Sequence, residues 1–150
     1  MKKPIGILTL FVSVTLLSCA QDTPTQVAEA FKTKFPTAKS VKWEKENEKE
    51  WEAEFEMDGK EYSANFSLDG TWLETEHEIK NNELPEAVKM TLKNEFEGYE
   101  IEEIEISEKT NATAYEVELE KAEQTLEVVF DAAGKVLSKK EVIESEEEKD

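Results

Sequence analysis

The chain holds a single histidine, His77, and a single cysteine, Cys19. That scarcity limits the chemistry within reach. A Ser-His-acid triad would have to use His77, and no nucleophile-elbow motif accompanies any serine. One histidine and one cysteine cannot supply a zinc site of the usual kind. The five glycines are scattered, so no glycine-rich phosphate loop is present. Carboxylates are plentiful, with 36 acidic residues against 18 basic ones. Pairs will meet by chance, but a working acid/base pair needs environments that push its two pKa values apart. Asp58, Asp69 and Asp131 stand at turn sequences where hard cations often bind. The spacing of an EF-hand loop is missing, and turn chemistry accounts for Asp58-Gly59 and Asp69-Gly70 without an ion. These residues predict no enzyme, no cofactor and no metal centre, with only weak, diffuse divalent-cation binding.

Cys19 sits where its chemistry is covalent. Lys2 and Lys3 precede an apolar run from Ile5 to Leu17. The run is too short for a hydrocarbon core of about 30 Å, but it suits the apolar part of a secretory signal. It ends in Leu16-Leu17-Ser18-Cys19, which resembles a bacterial lipobox. Residues 1–18 are read as a lipoprotein signal peptide, and 19–23 as a lipidated cysteine with a short tether. Two or three acyl chains on Cys19 would anchor the protein durably. Ala20 follows the cysteine where an aspartate would favour inner-membrane retention, so the outer membrane or periplasmic side is favoured. The net charge of −18 falls by two, to about −20, once Lys2 and Lys3 are removed with the signal. Such a surface repels nucleic acid and leaves the lipid anchor as the sole membrane contact.

The elements that must position any site repeat along the chain. Val27, Phe31 and Phe35 match Val88, Leu92 and Phe96 at one constant offset. Trp51, Phe55, Tyr62, Phe66, Gly70 and Leu73 match Tyr115, Leu119, Leu126, Phe130, Gly134 and Leu137 at an offset three residues longer. Each set opens with an amphipathic helix. Thr23-Pro24-Thr25-Gln26 has the form of a capping box with proline at the first helical position. Pro36 and Gly98 close the two helices.

Period-two strands follow. Trp51, Ala53, Phe55 and Met57 alternate with Glu52, Glu54 and Glu56. Asp58-Gly59 and Asp69-Gly70 predict two-residue hairpin turns. Those turns set Phe55 opposite Tyr62, Phe66 opposite Leu73, and His77 opposite Tyr62. The expected fold is α+β: two tandem helix-plus-four-strand repeats, residues 24–79 and 80–143. Their antiparallel sheet carries helices on one face and an open acidic face on the other. Residues 144–150 read as a disordered acidic tail.

On that open face Glu52, Glu54, Glu56, Glu74, Glu76, Glu103, Glu105, Glu116, Glu118 and Glu120 should gather. Trp72 should stand among them, with Val136 in the matching place. Like charges on adjacent strands repel and cost stability. One reading is a surface that attracts a basic partner and anchors it on an aromatic side chain. The other is that the charge discourages sheet stacking.

Phe-Pro-Thr-Ala-Lys-Ser-Val-Lys-Trp-Glu at 35–44 resembles the opening of PepSY-like repeats of bacterial envelope proteins. Residues 66–74, from Phe66 through Asp69-Gly70 to Glu74, and 84–88, from Leu84 to Val88, are similar to further parts of the same repeat. The resemblance spans nearly all of residues 24–142. It implies a β-lactamase-inhibitor-like fold whose free sheet face grips another protein. No inhibitory loop motif carries over, and the disulfides of the secreted inhibitors have no counterpart here. The resulting expectation is a non-catalytic envelope lipoprotein that binds a peptidase or cell-wall enzyme. Trp72, Glu52, Glu54, Glu56, Glu74, Glu116, Glu118 and Val136 would be its contacts. The alternative is an acidic structural or cation-buffering surface lipoprotein with no specific protein partner.

Overall fold

The computed structural model describes residues 23–142. The expected signal peptide, lipidated Cys19 and acidic tail lie outside them. Helix α1 (Thr25–Lys34) leads into β1 (Lys39–Glu44), β2 (Glu50–Met57), β3 (Lys60–Ser67) and β4 (Trp72–Glu78). A 3₁₀ turn (Asn81–Glu83) and helix α2 (Glu86–Glu95) follow. The chain closes with β5 (Glu100–Lys109), β6 (Ala112–Lys121), β7 (Gln124–Asp131) and β8 (Val136–Val142). Among the described residues no helix is long and apolar enough to cross a membrane.

The expectation of two tandem helix-plus-four-strand repeats is corrected here. All eight strands form one antiparallel sheet in the order β1 to β8. β4 is hydrogen-bonded to β5 from Glu74↔Lys109 to Glu78↔Glu105. The sheet therefore does not break between β4 and β5, and two short helices lie on a single continuous layer. A strand edge left bare exposes unpaired N–H and C=O groups, and joining β4 to β5 removes two such edges at once. Repeated side-chain patterns report which face a residue takes and carry no information about which edges join.

One row of paired residues crosses the layer and shows that both helices share a face. It runs from Tyr62 to His77, whose rings lie 4.6 Å apart, then through Ile106, Tyr115 and Phe130 to Val136. Over β2 and β3, α1 presses Val27 and Phe31 onto Trp51, Ala53, Phe55, Ala64 and Phe66. Over β5–β7, α2 presses Val88 and Leu92 onto Ile104, Val117, Leu119, Val128 and Phe130. Phe66 and Phe130 are both fully buried. Phe31 meets Phe55 edge-on at 5.0 Å between ring centres, a preferred aromatic geometry.

The start of α1 differs from the expected capping box. Pro24 itself is the N-cap, without a side-chain cap, and its carbonyl accepts from the N–H of Val27 and Ala28. The Asp58-Gly59 turn has both residues at positive φ, as a two-residue hairpin needs.

The turns at Gly70 and Gly134 hold the helices to the sheet. A Cβ on Gly134 would stand 2.4 Å from the Ala87 carbonyl oxygen of α2, and one on Gly70 would stand 2.8 Å from that of Gln26 in α1. Thr91 of α2 donates its hydroxyl to the Gly134 carbonyl at 2.7 Å. Gly134→Ala should therefore destabilise by roughly 2 kcal/mol or more, from left-handed strain plus backbone collision. Gly59→Ala, with open space around it, should cost only about 1 kcal/mol. Urea midpoints of the two variants check the ranking. Equal losses would mean that the turn is not pinned to α2.

Candidate binding face

The face away from the helices is built by the outward half of each strand. Glu52, Asn65, Glu74 and Lys109 follow one another across β2 to β5. Glu54, Ser63, Glu76 and Ser107 form the next row. Glu78, Glu105 and Glu116 are directly paired across β4 to β6, and Glu103, Glu118 and Glu127 across β5 to β7. Carboxylates thus face carboxylates on adjacent strands, where side chains stand about 5 Å apart. A hollow of about 700 Å³ is lined by Glu54, Glu76, Glu78 and Glu105 together with Lys42, Lys60 and Lys80, and it also reaches helix-side Tyr62 and His77.

Burial sharpens the repulsion. Glu52 is only 6% exposed, and Glu74, Glu76, Glu105, Glu116 and Glu118 are half-buried. Glu54 and Glu56, nearer the β1 edge, are exposed. Burial, reinforced by Glu74, Glu105 and Glu116, pushes the Glu76 carboxyl up to about 7. Burial, with Glu103, Glu116 and Glu78, does the same to Glu105, also to about 7. Glu52, Glu116 and Glu118 are raised as well, by burial first and then by Glu46, Glu127 and Glu103 respectively. Three lysines relieve the charge locally, the first being Lys42, whose Nζ lies 3.9 Å from Glu54 Oε2. Lys109 Nζ lies 3.0 Å from Glu74 Oε1, and Lys140 Nζ lies 2.8 Å from Glu127 Oε1. Ser107 also donates its hydroxyl to Glu74.

Two of the expected contacts occupy the other face. Phe66 pairs with Trp72, and Phe130 with Val136, each beside a register shift. Trp72 packs against the cluster under α1, and Val136 against the cluster under α2. The indole Nε1 donates to Thr75 Oγ1 at 2.8 Å, and Lys34 Nζ sits 3.6 Å from the ring centre. The expected placement of Trp72 and Val136 on the open face, and of Leu73 opposite Phe66, is corrected accordingly.

The cause is the loop. Only Gly70, not Asp69, takes positive φ, and Gly70 N–H bonds back to the Ser67 carbonyl. Asp69 accepts from the Ser67 hydroxyl and the Thr71 N–H, which widens the turn by residues that a two-residue turn would pair. A one-residue slip flips a side chain to the other face, and a bulge at Leu73 then restores Asn65↔Glu74. Asp131 and Gly134 repeat the arrangement at the β7–β8 turn.

His77 lies on the helix side against Tyr62. Its Nδ1 is buried without a hydrogen-bond partner, and burial holds its pKa below the usual value. Glu127 was not among the expected open-face acids, although the alternation Leu126-Glu127-Val128 marks it as outward. Among the described residues no group of three His, Cys, Asp or Glu side chains is placed to hold a metal ion. Glu76 and Glu105 are displaced in the same direction and to similar values. That is the opposite of the split that assigns one acid and one base.

A family model described as "Putative beta-lactamase-inhibitor-like, PepSY-like" matches residues 17–61 and 57–138. The chain belongs to this family. That description likens the family to inhibitor proteins. Among solved structures the chain is similar to a BLIP-like protein from Bacteroides fragilis NCTC 9343. The two are 25% identical with a TM-score of 0.73, over 85% of this chain and 92% of that one. A DUF2874 family protein from Bacteroides uniformis ATCC 8492 shares the fold at 22% identity and TM-score 0.73, over 79% and 88% of the two chains. A Bacteroides eggerthii DSM 20697 structure, described as "putative periplasmic proteins", does so at 21% and 0.74, over 81% and 90%. No curated protein matches the chain.

Proposed function

We propose that this PepSY-like chain is a non-catalytic envelope lipoprotein, anchored through Cys19, that binds another protein through the open face of its sheet. The target we propose is an enzyme, a peptidase or a cell-wall enzyme, in keeping with the inhibitor-like description of the family. The observation that carries the reading is the persistence of half-buried carboxylates on the uncovered face. Glu76, Glu105 and Glu116 sit among one another at a cost to stability. Charge placed only to prevent stacking or to aid solubility works best fully hydrated, at strand edges and on exposed positions. Partial burial of the acids, with a hollow beside them, suits a surface shaped to be covered.

A photoreactive residue at position Glu118 or Ser138 of the open face tests this in the producing cell. Each should yield the same single adduct, identified by mass spectrometry as one envelope protein. Met90 of α2 is 63% exposed, and the same probe there should yield none. Adducts from Met90 but not from Glu118 or Ser138 would move the docking surface to the helices and refute the proposal.

A further inference from the structure

The open face solves its own charge problem wherever a lysine is within reach. Lys109 lies on Glu74 at the end of one row, and Lys140 of β8 lies on Glu127 at the end of another. Toward the middle of the face that relief thins: Lys140 still acts on Glu116, but the charged groups acting on Glu76 and Glu105 are acids. The charged groups acting most strongly on Glu105 are Glu103 of its own strand, Glu116 and Glu118 of β6, and Glu78 of β4. Those acting on Glu76 are Glu74 of its own strand, Glu105 of β5 and Glu116 of β6. Ser63 of β3 and Ser107 of β5 flank Glu76 in its row.

We propose that a lysine- or arginine-bearing polypeptide segment docks across β4 to β6 of the open face beside Glu116, its cations supplying to Glu76, Glu78 and Glu105 what Lys42, Lys109 and Lys140 supply elsewhere. The inference rests on the open face being the docking surface, and it names the chemistry of the partner.

A polypeptide fits the geometry better than a bare ion. Among the described residues the carboxylates do not converge in a metal-holding group of three. They stand in rows that cross strands in steps of about 4.8 Å, and same-side residues of an extended chain are about 6.5–7 Å apart. Glu78 and Glu116 stand two such steps apart, about 9.6 Å, so two cations two residues apart reach adjacent acids of the row, with the flexible lysine stem taking up the mismatch. Hydrogen bonds from ammonium or guanidinium to half-buried carboxylates are also stronger than those at a hydrated surface.

Docking of this kind carries a proton signature. Near neutral pH, Glu76 and Glu105 are partly protonated, and an arriving cation favours the carboxylate form. Binding should release protons and tighten as the pH rises.

The test titrates the full chain with a twelve-residue peptide alternating lysine and alanine, with its glutamate counterpart, and with calcium chloride. Isothermal calorimetry is run at pH 6.5 and 8 in buffers of different ionisation heat. The lysine peptide should bind severalfold more tightly at pH 8 and release protons. The combined Glu105→Gln and Glu116→Gln variant should weaken it by about tenfold or more, given the coupling energies of close charge pairs. Removing like-charge repulsion leaves the fold intact, which far-UV circular dichroism checks. Equal affinity in the variant, or displacement of the peptide by equimolar calcium, would overturn the inference. If Glu118 still crosslinks one envelope protein while the peptide fails to bind, the docking face stands and the basic partner alone is lost.

Discussion

Lowering the pH from 8 to 6 should raise the thermal midpoint of the protein by about 4–8 °C. Most soluble domains change little over this range, so the direction is informative. Glu76 and Glu105 are each pushed up to about 7 by burial and by their acidic neighbours. In the unfolded chain both return to the ordinary carboxylate range near 4.5. The folded state therefore binds more protons than the unfolded state between those limits, and stability falls as the pH rises through about 7. One full unit of linkage is about 1.4 kcal/mol per group. Solvent reaches both carboxyls, so the two together should supply on the order of 1–2 kcal/mol, a shift of about 4 °C per kcal/mol for a domain of this size. His77 works in the opposite sense. Its pKa is held below 6.5, so its protonation disfavours the folded state as the pH falls past that value. The gain should thus level off on further acidification. Combining Glu76→Gln with Glu105→Gln should raise the midpoint at pH 8 and flatten the profile. A wild-type midpoint that stays level from pH 8 to 6 would mean that these carboxyls are ordinary hydrated acids.

Phe130→Ala should lower the midpoint by more than 10 °C, and should do so equally for both halves of the sheet. Phe130 is fully buried beneath α2, among Leu119, Val128 and Phe96. Deleting such a ring costs about 3–5 kcal/mol through lost burial and the cavity left behind, a large part of the stability of a small domain. All three tryptophans, Trp43, Trp51 and Trp72, belong to the other cluster. Tryptophan fluorescence thus reports β1 to β4 and α1, while far-UV circular dichroism reports the whole layer. In a continuous sheet joined at β4 and β5 the two signals should move together to the same lower midpoint. If fluorescence kept the wild-type midpoint while circular dichroism shifted, the halves would fold independently and the β4–β5 junction would contribute little.

These two results probe different levels of the same molecule. The first concerns side chains brought together only by strand pairing, and the second concerns the pairing itself. Both bear on the binding face, because the central acids are contributed by β4, β5 and β6, on either side of the junction. Without β4 beside β5, Glu76 and Glu78 would not meet Glu105 and Glu116, and the face would lose its middle.

Much of this architecture is local and was written in residue order. Alternation in Trp51 to Met57 states that Glu52, Glu54 and Glu56 share a face, since successive strand side chains point to opposite sides. Val27, Phe31 and Phe35 state one helical stripe by their spacing of four. Asp58-Gly59 states its own turn, because both residues must take positive φ. Asp69-Gly70 looks the same on paper but closes a wider loop, and that difference carried Trp72 from the expected binding face into the core beneath α1.

Residue order was enough for the strands, the helices, the acidic and apolar faces and the lack of familiar catalytic motifs. These follow from periodicity and residue type, which act over a few residues. Tertiary structure alone decided that eight strands make one sheet, that Trp72 and Val136 pack inward, and that Glu76 and Glu105 meet closely enough to hold protons near neutrality. Edge pairing, loop closure and the burial of a charge depend on groups far apart in the chain. Their free energies exist only once the whole layer has assembled.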